Sequence, residues 1–358
     1  MLTLEVLVVA APARRTEARC RPSIRASTGS RWLVPMQRKP CGRDFALSAR
    51  MGVTCLLLVG LYLAALVPPL WLYHHGFLEA KLAFGFEAVV AALFALQYVS
   101  LDTAALRASR ARVVSASEAP QLHAALEKLA ALADIPVPLA AIVESEMPNA
   151  FAAGRSPQRS TIAITRGLAE RLEPQEIEAV LAHEMSHIAN RDGAVMTFAS
   201  FPALTLREAI RSAPWKMWVF GFPIMVVACV FYGVGLGIML TISRCREYAA
   251  DRGAAMLTGA PEQLMAALQK IAGSISAIPS TDLRTVSRMS AFFILPTNLR
   301  ALTHPPIERR LARLAELSRE LGQPSPLRAS AASALVTGVV AFGVTFGVFV
   351  ALALLVLR

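Results

Sequence analysis

From Met217 to Ile242 the chain carries no charged side chain, and this stretch constrains the fold more than any other. Crossing a bilayer takes about 20 apolar residues in a helix, because backbone polar groups find no water there and must bond within the segment. Residues 51–73 read the same way; they contain Pro68-Pro69 and close on Trp71 and Tyr73, an interfacial aromatic belt. Residues 82–99, with Glu87 inside and Tyr98 at the end, make a second arm after the turn at His74-His75-Gly76, and residues 333–357 make a last span. Glu87 is expected to face neighbouring helices or a wet cavity rather than to do chemistry. The chain is 55% hydrophobic with a mean hydropathy of +0.50, which is a multi-pass membrane composition rather than a soluble one.

Charge sets the orientation. Residues 1–50 hold nine Arg and Lys39 against Glu5, Glu17 and Asp44, so this Pro- and Ser-rich stretch carries seven of the eleven net positive charges. It has no sustained apolar period and reads as a disordered tail beside the first span, not as a nucleic-acid surface. Arg107, Arg110 and Arg112 follow the first hairpin, whereas its turn has Lys81 alone, which places residues 101–193 in the cytoplasm. Cys20, Cys41, Cys55, Cys229 and Cys245 show no pairing rhythm and imply neither disulfides nor a cysteine metal site.

Within that cytoplasmic stretch stands His183-Glu184-Met185-Ser186-His187. Four residues make slightly more than one helical turn, so the two imidazoles share a face and can reach one metal ion. A catalytic zinc needs three protein ligands and an open position for water, and Glu184 is placed to accept that water's proton. Asn190 and Gly193 occupy the places where a metzincin would carry Gly and a third His, so the third ligand is a distant carboxylate. Glu247 and Asp251, four apart after the apolar run, can share a helix face: one can reach the metal while the other accepts the free N–H of a ligating His. The plainer alternative is an acidic face paired with Arg244 and Arg252. His304, before Pro305-Pro306, is a candidate donor to a reaction oxyanion; His74, His75 and His123 read as structural.

Around these residues the pattern predicts a helix over 120–133 with Leu122, Leu126, Leu129 and Leu132 as its stripe, strands at 139–144 and 161–165 with 149–153 as a third candidate, and a helix opened by Glu173-Pro174 that carries the histidines. Further amphipathic helices are expected over 261–273 and 306–321, and 323–328 reads as a linker. If Glu247 shares a side with the histidines, the chain crosses an even number of times between Asn190 and Arg244, and residues 194–213 form a tilted or re-entrant arm.

The set Pro148–Gly154, Thr165–Leu172, His183–His187, Ser243–Asp251 and Thr303–Arg310, in that order, resembles the HtpX-like membrane zinc metalloproteases, relatives of the CAAX prenyl endoprotease. The resemblance runs from about Pro120 to Leu317. It implies one zinc per chain on His183, His187 and Glu247, Glu184 as base, Asp251 orienting a ligand and Arg310 supporting it by an ion pair. It also implies that Asn149 and His304 hold the tetrahedral intermediate and that a peptide docks on the strand near Asn149. Ala153 departs from the Thr of many relatives, which bears on substrate preference.

The expected fold is mainly α with a small β-sheet, a zincin-like α+β catalytic domain embedded in a multi-pass α-helical membrane protein. Its parts are the tail 1–50, a membrane hairpin 51–100, catalytic part 101–193, a membrane hairpin 194–242, catalytic part 243–328 and a terminal span 329–358. The expected activity is metalloendopeptidase cleavage of misfolded membrane or cytoplasm-facing proteins at the bacterial plasma membrane. Protein or peptide substrates and the bilayer are the expected partners, and nucleic acid is not. A catalytically inactive scaffold is the first alternative; a cation transporter would need ionisable residues along several spans, whereas here they cluster outside them.

Overall fold

The computed structural model describes residues 45–276 and 304–322. Most of the Arg-rich tail, the linker at 323–328 and the span at 333–357 lie outside the described residues. Three described helices have the length and hydropathy to cross a membrane: α1 (Phe45–His74), α2 (Ala80–Ser109) over Ala80–Ser100, and α8 (Phe222–Thr258). Pro68 and Pro69 lie inside α1 without ending it; the turn comes at Gly76, where φ is +77°. Between these arms lie β1 (Arg112–Val113), α3 (Pro120–Ala133), β2 (Leu139–Val143), β3 (Ala150–Ser156), β4 (Arg159–Thr165), α4 (Arg166–Arg171), α5 (Pro174–Ala189), α6 (Asp192–Ser212) and α7 (Trp215–Phe220). Helices α9 (Pro261–Ser276) and α10 (Ile307–Glu320) complete the described chain.

Alternation of side chains makes the sheet two-faced. Its order is β1-β2-β4-β3, with β2 and β4 parallel and both outer pairs antiparallel. Ala140, Ile162 and Ile164 turn toward the helices, while Ala141, Val143 and Ala163 turn to the opposite face with Phe151 against them. Strand β3 is therefore an edge strand, and Gly154 ends its regular part at a bulge with φ +135°, where an added Cβ would sit 2.1 Å from the Arg159 carbonyl oxygen.

Helix α5 runs through the middle of the core. Its start is fixed by Pro174 in the first turn and by a reciprocal cap in which Glu173 and Glu176 each accept the other's backbone N–H. Glu176 is buried yet paired with Lys270 of α9 at 2.8 Å. Leu181 and Met185 are fully buried among residues of α3, α8, α9, α10 and β4, and each contributes about 1.5–3 kcal/mol by leaving water. In α3, Leu122, Leu126 and Leu129 join this core, but Leu132 is 36% exposed: the stripe is one residue shorter than its spacing suggested.

The membrane-side core is separate. Leu58 and Leu61 of α1 pack on Ala199 of α6 and on Ile238, Met239 and Ile242 of α8. Helix α6 begins at Asp192, lies against α8 and is joined to it through Pro214 and α7; it is not among the three described helices with the length and hydropathy to cross a membrane. The apolar run and the Glu247 block, by contrast, are one continuous helix, about 55 Å long at 1.5 Å per residue.

Helices α5 and α8 meet at Gly253, where a Cβ would lie 2.5 Å from Ser186 Oγ and 2.9 Å from Ser186 Cβ. Gly253→Ala is expected to destabilise the protein by about 1–3 kcal/mol through overpacking. Ser186→Ala in that background should recover part of the loss in thermal unfolding followed in detergent; a Gly253→Ala protein as stable as the parent would show that the crossing has slack.

Candidate metal centre

One turn of α5 presents His183 and His187 with their Nε2 atoms 3.2 Å apart and their rings perpendicular. Glu247, arriving from α8, places Oε2 3.6 Å from His183 Nε2 and Oε1 3.7 Å from His187 Nε2. Four ligands held tetrahedrally at about 2.0–2.2 Å stand about 3.3–3.6 Å from one another; the spacings here, 3.2 Å between the imidazoles and 3.6 and 3.7 Å to the two Glu247 oxygens, lie close to that range and suit a zinc ion. Two imidazole nitrogens turned on each other beside a buried carboxylate make a donor set with no good internal hydrogen-bond pairing, which a cation resolves. Among the described residues, only these three form such a group, and Cys245 and His304 are not part of it.

Each ligand is held from behind. His183 Nδ1 lies 3.1 Å from Asp251 Oδ1, one helical turn beyond Glu247. Arg310 of α10 grips Asp251 with two bonds, Nε to Oδ2 at 2.8 Å and Nη2 to Oδ1 at 2.5 Å, and its Nη1 lies 3.3 Å from Glu247 Oε2. The acidic pair thus takes an ionic partner from a distant helix. Burial alone would lower the basicity of His183, but the carboxylates of Asp251 and Glu247 outweigh it and push its pKa up to about 9. His187 moves the other way, lowered by burial and by its neighbour His183. Burial opposes the charge of Arg310 too, yet Asp251 and Glu247 raise its pKa further.

Glu184 lines the same cavity as the two histidines. Its Oε2 accepts the backbone N–H of Ala152 at 2.9 Å, which ties the metal helix to the outer edge of β3. The two histidines, Glu184 and Glu247 line a cavity of about 450 Å³, with β3 along one wall and Leu264 and Leu268 of α9 along another. Asn149 is in the β3 wall, its backbone pinned by Thr165: its N–H donates to Thr165 Oγ1 at 2.9 Å and its carbonyl accepts that hydroxyl at 3.0 Å. His304 lines the cavity with Nδ1 3.1 Å from Glu247 Oε2, half-exposed, so it stands beside the third ligand. His123 bonds the Val114 carbonyl and His75 the Trp71 carbonyl, structural roles both.

Two residues here went unrecognised in the sequence. Asp192 accepts from His187 Nδ1 at 2.6 Å, and Arg246 forms an ion pair with Asp192 while its Nη2 donates to the Asn190 carbonyl at 2.8 Å. Helical spacing could not reveal Asp192, because α5 ends at Ala189, Asn190 caps it and Arg191 turns the chain with φ +56°. The signal that was available is the carboxylate itself, five positions after a ligating His and next to a turn.

Similarity to known proteins agrees with this geometry. The sequence pattern of Peptidase family M48 matches residues 116–318, more than half of the chain. Protease HtpX homolog of Moorella thermoacetica is 42% identical over 302 residues, 79% of this chain and 98% of that protein. Protease HtpX homolog 1 of Streptomyces coelicolor is 40% identical over 304 residues, 80% of this chain and 98% of that protein. The crystal structure of S. mikatae Ste24p overlaps 74% of this chain and 67% of that one, with a TM-score of 0.43 at 20% identity. With the His-His-Glu donor group intact and three helices able to span, the chain belongs to peptidase family M48 and is a membrane zinc metallopeptidase homologous to HtpX.

Proposed function

We propose that this protein is an endopeptidase that cuts misfolded membrane and cytoplasm-facing proteins at the inner face of the bacterial plasma membrane, using one zinc ion per chain. The observation that carries this reading is the convergence of His183, His187 and Glu247 beside a cavity that also holds Glu184. The partition into tail 1–50, hairpin 51–100, catalytic 101–193, membrane insertion 194–242, catalytic 243–328 and terminal span 329–358 belongs to the same proposal, with the limits at 193/194 and 242/243 falling inside continuous helices.

His183, His187 and Glu247 hold the metal, Asp251 keeps His183 turned toward it, and Arg310 keeps Asp251 charged and fixed. Zinc, when bound, supplies Lewis acidity at the scissile carbonyl and to the attacking water. Glu184 removes the water's proton and delivers it to the leaving amine; its bond to Ala152 N–H sets it at the strand edge where substrate lies. The even-numbered residues of β3 turn their backbone groups away from β4, as the outward N–H of Ala152 indicates, so an extended peptide can add to that edge. His304 and Asn149 then stabilise negative charge on the tetrahedral carbon's oxygen. Cytoplasmic placement is supported by the arginines that flank the inner ends of α1 and α2, and Glu247 lies about 7 Å along α8 from Ile242, the last uncharged residue of the span.

Glu184→Gln preserves shape and the Ala152 bond but removes the base. Casein-type proteolysis should fall by at least about 10² while elemental analysis still finds one zinc per chain; undiminished cleavage would reject this mechanism. Chelation of the metal should abolish cleavage in the parent protein, and stoichiometric zinc should restore it, whereas activity that survives a demonstrably metal-free preparation would remove zinc from the reaction.

A further inference from the structure

Behind His187 stands an arrangement that the proposed reaction does not yet use. His183 is backed by a carboxylate and an arginine, Asp251 and Arg310. His187 is backed by another such couple, Asp192 and Arg246, from different elements. Asp192 is the first residue of α6, and Arg246 sits on α8 directly before the third ligand. Both are buried, at 6% and 7% exposure, and a buried carboxylate with a buried guanidinium is costly unless the geometry of the pair serves something. Here the carboxylate spends one oxygen on His187 Nδ1, and the arginine spends one nitrogen on the Asn190 carbonyl, at the end of the helix that carries His187.

We propose that Asp192 and Arg246 are positioning residues of the metal centre. Asp192 accepts a hydrogen bond from the Nδ1–H of His187, so that the proton stays on Nδ1, Nε2 keeps its lone pair toward the metal and the ring plane is fixed. Arg246 holds Asp192 there and so ties the start of α6 and the polar part of α8 to the second histidine. The inference rests on the metallopeptidase reading above, because a positioned Nε2 matters only if it binds a metal.

The test measures the metal itself. Full-length protein in detergent is stripped, loaded with zinc or cobalt, and its zinc affinity is taken by chelator competition for the parent, Asp192→Asn, Arg246→Met and the double variant. Asp192→Asn retains an acceptor at Nδ1 without the charge and should weaken zinc binding by about 10- to 100-fold. It should also alter the visible spectrum of the cobalt form. Arg246→Met should weaken zinc less, and adding it to Asp192→Asn should cost little more, since the two act in series. Arg246→Lys, which keeps the charge, should recover much of the Arg246→Met loss. Parental zinc affinity and an unchanged cobalt spectrum in Asp192→Asn, with only a lower unfolding temperature, would overturn the proposal and leave the pair as a structural tie. A parent protein that binds no zinc would instead bring down the metallopeptidase reading on which it rests.

Discussion

Everything in this structure answers to one electrostatic problem, the seating of Glu247 beside two imidazoles in a dry place. An ionised carboxylate cannot be withdrawn from water without compensation, and here compensation comes from Arg310, from the neighbouring imidazoles and from the cation that the donor spacing fits. The apolar core of α3, α5, α9, α10 and the sheet supplies the rigidity that keeps these charges in register. Gly253 lets α8 approach α5 closely enough for Glu247 and Asp251 to face the histidines. Packing and charge therefore meet at one helix crossing, and neither would place the ligands alone.

Much of this was legible in the sequence because it follows from local periodicity. The bounds of α3 coincide with the leucine spacing, and Glu173-Pro174 marks the start of α5 because Pro costs nothing in a first turn and the cap is a short-range bond. All three strand segments appear, with bounds shifted by up to three residues; only β4, Arg159–Thr165, shows a clear alternation of β-branched and small residues. The site residues His183, Glu184, His187, Glu247, Asp251, Asn149, His304 and Arg310 do gather around one cavity or its supports. Spacing of four along a helix pointed to His183 with His187 and to Glu247 with Asp251, whereas Asn149 and Arg310 were reached through the family resemblance.

What escaped depends on chain reversal or on continuity. Asp192 returns to His187 only after the left-handed turn at Arg191, and no spacing rule reports a turn of that kind at an arginine. The unity of α8 was hidden because hydropathy changes abruptly after Ile242 while helix-forming tendency does not. Spacing alone offered Arg244 and Arg252 as partners of Glu247 and Asp251; the guanidinium bonded to Asp251 is that of Arg310, which the family resemblance had pointed to. The two-residue strand β1 is too short to have any periodic signature.

The continuity of α8 also orders events during biosynthesis. A nascent chain makes the imidazole pair and Glu184 first, then α6 and the apolar part of α8, and only then Glu247 and Arg310. While α8 is still emerging, a histidine pair exists without its third partner, and until α10 follows, Asp251 lacks the guanidinium that holds it. Completion of the metal centre thereby waits on two later helices, α8 for Glu247 and Asp251 and α10 for Arg310.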